Sequence, residues 1–415
     1  MSTHTDGLLG RRLERLRTTD GRTVKPIATV GRHADALALA LGGLAQGSVA
    51  IFESEHPLPL DRAALARLPV AIDAERPLVC LDLETTGLAT GPGTLAFLVG
   101  LGSWSGERLV VRQLLLPDHV DELALLDALA AAIPPDATLV TYNGRTFDWP
   151  LLVTRYRLHR RDPPPFGQHF DLLPLSRQLW RPRLGNARLA TVEQHVCDVR
   201  RHDDLPGALI PGRYFGYLRD RRAEPLMAVV EHNRQDIVSL GLLLAVLGRL
   251  ATRGDGWHDV HPSDLGGLGR ALARRGRWDE ALDCLEAALA SPAWQSGIEG
   301  GAPLRRRLSV DRARLLGRLG RRVEQRAAWL EIAQRGGPGA AAAWIEVARY
   351  REHQLRDVSA AIEACHAALA AVDRARLWGR AAPAVERDLA YRLARLRRKS
   401  ARAHRERAVP AKRVA

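Results

Sequence analysis

Apolar residues run almost unbroken through Leu78-Val79-Cys80-Leu81-Asp82-Leu83-Glu84, interrupted only by two acids, as in a central strand buried on both faces. Two further apolar runs, Leu95 to Leu101 and Leu109 to Leu116, flank Ser105-Gly106-Glu107, which has the turn chemistry of a hairpin. A segment of helical period from Val120 to Ile133 ends at Pro134-Pro135. The pattern then predicts a strand at Thr138 to Tyr142, a helix from about Asp148 to His159, a short strand at His169 to Leu172 and a long helix from about Leu226 to Leu250. Three strands with a hairpin, followed by alternating helix and strand, predict a mixed sheet with flanking helices, α/β in class.

On either side the pattern differs. Ahead of Pro77 stand a basic start (Arg11, Arg12, Arg15, Arg17), an Ala/Leu-rich helical stretch from about His33 to Gln46 and a short apolar run, Val49 to Phe52. Beyond a Gly/Asp/His-rich break from Arg253 to Gly266 the strand pattern vanishes. Leu268 to Ala290 reads as two helices about a turn at Gly276, with small and apolar residues at helical spacing, and weaker echoes follow around Gly320 and from Ala343 to Ala370. These features divide the chain into an N-terminal extension (1–76), the sheet domain (77–252), an all-α helical-repeat domain (266–390) and a basic tail (391–415). A plain helical bundle is the alternative for the third unit.

A chain of 415 residues exceeds one ordinary core, and an apolar fraction of 46% suffices to fill two or three. Cys80, Cys197, Cys284 and Cys365 lie far apart with no CxxC spacing, which argues against a disulfide framework or a zinc knuckle. No apolar stretch is long enough for a membrane span, so the expectation is a soluble, cytoplasmic protein. The formal charge of +14 comes almost wholly from arginine, which suits a polyanionic partner but is equally the mark of a well-solvated surface.

The chemistry concentrates in three blocks. Asp82 and Glu84, two residues apart on a strand, share one face, and two like charges buried there call for a cation between them. Thr85-Thr86-Gly87 ends that strand. The second block, Thr141-Tyr142-Asn143-Gly144-Arg145-Thr146-Phe147-Asp148, ends a strand and opens a helix, where the charge of Asp148 serves as a cap or as a ligand. In the third, Glu231-His232-Asn233-Arg234-Gln235-Asp236, His232 and Asp236 are four apart and project from one helix face.

Together the blocks resemble the DEDD exonuclease superfamily: Asp-x-Glu on the first strand, Asn-x-x-x-Phe-Asp in the second block, and His followed by Asp in the third. Residues from about 77 to 250 resemble more specifically the YprB-like ribonuclease-H-fold family, in which such a domain is joined to a tetratricopeptide-like helical region. The resemblance implies an RNase H-like sheet and a metal-dependent nuclease of DNA or RNA, probing single strands or 3′ ends as a 3′–5′ exonuclease. It implies two Mg²⁺ or Mn²⁺ ions, with Asp82 bridging them, Glu84 and Asp236 on one side and Asp148 on the other. His232 would be the general base, since imidazole exchanges protons near neutral pH. It stands four positions before Asp236, where the tyrosine subclass keeps its tyrosine; the histidine subclass usually has one residue more between them.

Thr86 and Asn143 would position the terminal nucleotide or serve ordinary turn roles, and Asp171 would support the site or cap a helix. Arg181, Arg183 and the stretch Arg200-Arg201-His202-Asp203-Asp204 offer phosphate contacts or a solvated loop, and the arginine-dense tail offers an extension of the nucleic-acid track. The competing function is a nucleic-acid-binding scaffold whose nuclease domain is inactive and whose helical repeat recruits a protein partner.

Overall fold

The computed structural model describes residues 32–408 apart from 88–90, 202–203, 253–256, 296, 299, 378 and 380–382. The basic start at Arg11 to Arg17, His202, Asp203 and residues 409–415 lie outside the described residues. At the centre is a seven-stranded sheet of order β1-β2-β5-β4-β3-β6-β7. Strand β3 (Leu78–Thr85) pairs antiparallel with β4 (Ala96–Ser105) and parallel with β6 (Thr138–Thr141). Strand β7 (Gln168–Asp171) lies parallel to β6, and β5 (Arg108–Leu115) closes the hairpin with β4 through Gly106, at φ 58°.

The sheet begins earlier than the sequence suggests. β2 (Val49–Pro57) pairs with β5 from Ala50 to Pro57, and β1 (Leu44–Gln46) lies outside it, so residues expected in an extension ahead of the domain are two of its strands. The expected helix through Gln46 is shorter, α1 (Arg32–Leu41). It stops at Gly42-Gly43, where a Cβ on Gly43 would lie 2.5 Å from the Ile51 carbonyl oxygen. The outer half of β2 reads weakly because its exposed positions are charged, Glu53 and Glu55 facing Arg112 and Arg108 on β5.

Helices cover both faces. Val79, Leu81 and Leu83 of β3 pack into a core with α3 (Glu122–Ala132), α4 (Asp148–Leu158) and α8 (Ile210–Asp220). Leu78 and Cys80, on the opposite face, share a core with α5 (Leu172–Leu179), α7 (Leu189–Val196) and the long α9 (Met227–Ala251). The small α2 (Arg62–Leu65) and α6 (Arg181–Leu184) complete this layer.

An all-helical region follows: α10 (Pro262–Arg274), α11 (Trp278–Ala290), α12 (Gly301–Arg318), α13 (Arg322–Arg335), α14 (Ala340–His353), α15 (Val358–Leu377) and α16 (Pro383–Ala408), each packed on the next. Helix α10 starts ahead of the expected Leu268, inside the Gly/Asp/His-rich break. Its Asp264 meets Arg183 at 2.7 Å, so an arginine considered for phosphate instead joins the helical region to the sheet domain. Arg277 adds bonds to the carbonyls of Arg67 and Leu68.

The expected basic tail is a correction of the same kind. Residues 391–408 continue α16, with Leu389, Leu393 and Leu396 buried, and Arg395 holds the buried Glu352 of α14 through two bonds of 2.6 Å. No helix among the described residues is long and apolar enough to cross a membrane.

Candidate metal centre

Alternation along β3 puts Asp82 and Glu84 on the face of Leu78 and Cys80, under α9. Opposite Asp82 on β4 is Gly100. A Cβ there would lie 2.4 Å from Asn233 Oδ1 and 2.8 Å from Ile237 Cγ1, so glycine lets α9 lie directly on the strand. That closeness builds a buried relay. Gln113 Nε2 on β5 donates to Asn233 Oδ1 (2.9 Å) and to the Val230 carbonyl (2.8 Å), and Asn233 Nδ2 donates to Asp82 Oδ2 (2.9 Å).

One helical turn spaces His232 from Asp236 on the same helix. His232 Nε2 lies 3.7 Å from Asp236 Oδ2 and 4.0 Å from Glu84 Oε1. One ligand atom from each of Glu84, His232 and Asp236 lies within 4.8 Å of the other two. Asp148 opens α4 and is 7% exposed, within electrostatic reach of Asp82, Glu84 and Asp236.

The electrostatics are those of an uncompensated cluster. Burial, then the charges of Asp236, Glu84 and Asp148, hold the Asp82 carboxyl well above the usual carboxylate range. Burial, then Asp236, Asp148 and Asp204, do the same to Glu84. Asp148 is pushed up to about 7 by burial, with Asp171 and Asp236 adding to it while its own backbone N–H opposes. Asp236 is also raised by burial, against the pull of Arg201 and His232. Among the described residues, Arg201 is the one guanidinium that pairs with any of the four acids. Four crowded carboxylates sharing one such cation, with oxygen ligands dominant, form a donor set that suits a hard divalent ion.

Arg201, expected to be a phosphate contact or part of a solvated loop, instead pairs with an acid of the cluster. Its side chain is 10% exposed and bound on three sides: to Glu193 of α7 (2.8 Å through Nη2), to Asp236, and to Asp204 at 3.2 Å. Glu193 is itself 1% exposed and also takes a bond from Ser239 of α9. Asp204, from the same loop, accepts from His232 Nδ1 at 2.7 Å, which fixes the ring orientation. The signals for these roles were faint: Glu193 is a charge inside an apolar helical period, and Asn233 stands beside His232 in the third block.

The three candidates for substrate contact have structural partners. Thr86 Oγ1 accepts the Leu95 N–H at 2.9 Å. Asn143 adopts the left-handed conformation (φ 71°) tolerated by asparagine, and its Oδ1 accepts from Thr146 Oγ1 at 2.8 Å. Asp171 caps α5 through the Leu173 N–H (3.0 Å) and also accepts the N–H groups of Asn143 (2.9 Å) and Arg145 (3.2 Å). Asp171 therefore both caps a helix and shapes the loop that delivers Asp148. Arg181 is exposed.

A stretch of 167 residues is 42% identical to the uncharacterized protein YprB of Bacillus subtilis (strain 168) and covers 39% of this chain. It spans 40% of that relative's own length. Residues 79–247, which run from β3 into α9 and hold every acid of the cluster, match the RNase_H superfamily, and the sheet domain has an RNase H-like fold.

Proposed function

We propose that this chain is a metal-dependent nuclease hydrolysing phosphodiester bonds of DNA or RNA, a DEDD-type 3′–5′ exonuclease. The observation that carries the reading is the convergence of Asp82, Glu84, Asp148 and Asp236 with raised carboxyl pKa values and one guanidinium among them. These four acids would hold two Mg²⁺ or Mn²⁺ ions, which when bound supply an acidified water and neutralise charge developing on the phosphate.

The chain's own residues divide the remaining work. With its Nδ1–H given to Asp204, His232 keeps a lone pair on Nε2, directed toward Glu84 and Asp236, and is the candidate general base. Asp204 acts through it as a positioning residue. Asn233 fixes the Asp82 carboxylate in one orientation, and Arg201 keeps Asp236 and the loop before α8 in place. Thr86, Asn143 and Asp171 would shape the mouth that receives the terminal nucleotide, Asn143 and Asp171 through the backbone of the Asn143–Asp148 loop. The paired helices from α10 onward, with a left-handed glycine at the turns Gly276 and Gly320, support a tetratricopeptide-like reading of that region.

The test is incubation of 5′-labelled single-stranded DNA and RNA with Mn²⁺ or Mg²⁺, beside Asp82→Ala and Asp236→Ala. Metal-dependent laddering from the 3′ end, lost in both variants, is the expected result; cleavage of a circular substrate would replace the exonuclease by an internal nuclease. Binding retained in all three proteins with no cleavage by any would favour the scaffold.

A further inference from the structure

Between α10 and α12 lies an open cavity of about 250 Å³ whose floor is apolar, formed in part by Leu285 and Leu315. Its rim holds Arg270, Arg274, Arg314 and Arg318 against a single carboxylate, Asp311. Asp311 meets Arg270 at 3.3 Å, and Arg274 donates to the neutral Gln178 of α5 at 2.6 Å. Among the described residues no carboxylate pairs with Arg314 or Arg318, both exposed at the rim. Burial first, then the nearby charges of Arg307 and Arg274, hold Arg270 below the usual guanidinium range against the pull of Asp311.

We infer that this cavity holds a phosphodiester group of a single-stranded nucleic acid, making the helical region a second contact for the strand that the sheet domain would cleave. Four guanidiniums offer forked donors to phosphate oxygens, and the apolar floor accepts a sugar or base face. A polymer fits better than a free nucleotide because α12 presents cations to a second cavity too. There Arg305, Arg306 and Arg335 line about 420 Å³, and the Arg305 guanidinium stands 5.5 Å over the Trp294 ring. The Arg274–Gln178 bond joins the first cavity to α5, whose cap, Asp171, holds the loop of Asp148. The inference deepens the nuclease reading by naming where the strand is held, and its test does not depend on cleavage.

The full chain in EDTA is titrated against a fluorescein-labelled single-stranded 20-mer, as DNA and as RNA, with anisotropy as the readout. Arg314→Gln/Arg318→Gln should weaken binding about tenfold and reduce the slope of log Kd against log salt by about 0.7, the loss of the one phosphate contact the cavity makes. Arg322→Gln/Arg349→Gln, an equal charge change on α13 and α14, should move binding less than about twofold. Melting midpoints check the fold, and Arg274→Gln/Arg318→Gln replaces the first pair if that one melts early. Equal losses in both pairs, or none in the first, would overturn the inference. So would competition by a mononucleotide at the concentration at which the oligonucleotide itself competes, which would make the cavity a nucleotide pocket.

Discussion

If the acid cluster is uncompensated without metal, removing one of its charges should stabilise the metal-free protein, and Asp148→Asn is the sharpest case. Its carboxyl rises from 3.8 to about 7, chiefly through burial. At about 1.4 kcal/mol for each tenfold change in proton affinity, the ionised form is disfavoured in the folded chain by ~4 kcal/mol. A group whose folded pKa is raised leaves stability intact below its unfolded value and removes it as pH climbs through the folded one. The wild type should therefore lose stability between roughly pH 4 and 7 relative to the variant. Urea unfolding in EDTA at pH 5, 6.5 and 8 measures this: the variant should be about 2–4 kcal/mol more stable at pH 8, the margin shrinking as pH falls. Addition of Mn²⁺ should reverse the order, because the wild type gains a ligand-bound state that the variant binds less well. An asparagine variant no more stable than wild type at pH 8, or a margin that ignores pH, would refute the electrostatic reasoning.

Two further substitutions probe the scaffold of the site. Arg201→Met leaves Glu193 buried with only Ser239 as partner, so stability in EDTA should fall by about 3–5 kcal/mol, with partial recovery in Arg201→Met/Glu193→Gln; a loss under about 1 kcal/mol would mean the guanidinium is not needed there. Gly100→Ala sets a methyl 2.4 Å from Asn233 Oδ1 and should lower stability by about 1–3 kcal/mol while disturbing Asp82, seen as weaker Mn²⁺ affinity by calorimetry; unchanged affinity would show that the contact of α9 with β4 does not set the site.

The seven-stranded sheet illustrates how far pattern reading reaches. β3, the β4–β5 hairpin, β6, β7 and α9 were legible because each couples a strong apolar period to a clear turn or break. β1 and the outer half of β2 were not, since an edge strand with charges on its exposed face has no periodicity distinct from a loop. Arg395 and Leu396 were read within a tail because arginine density outweighed the apolar positions of α16, although burial of Leu393 and Leu396 governs that helix.

For the site, the sequence determined the identity of the acids, their order and the faces they occupy, because strand and helix periods are local. Only the tertiary structure decided what surrounds them. The Gln113–Asn233–Asp82 relay joins residues from three elements, and Arg201 reaches Asp236 and Glu193 from a loop with no regular period. Such partners are chosen by where α9 lies on β4, which depends on the missing side chain of Gly100, and by the need of buried charges for a neighbour, neither of which leaves a spacing in the chain.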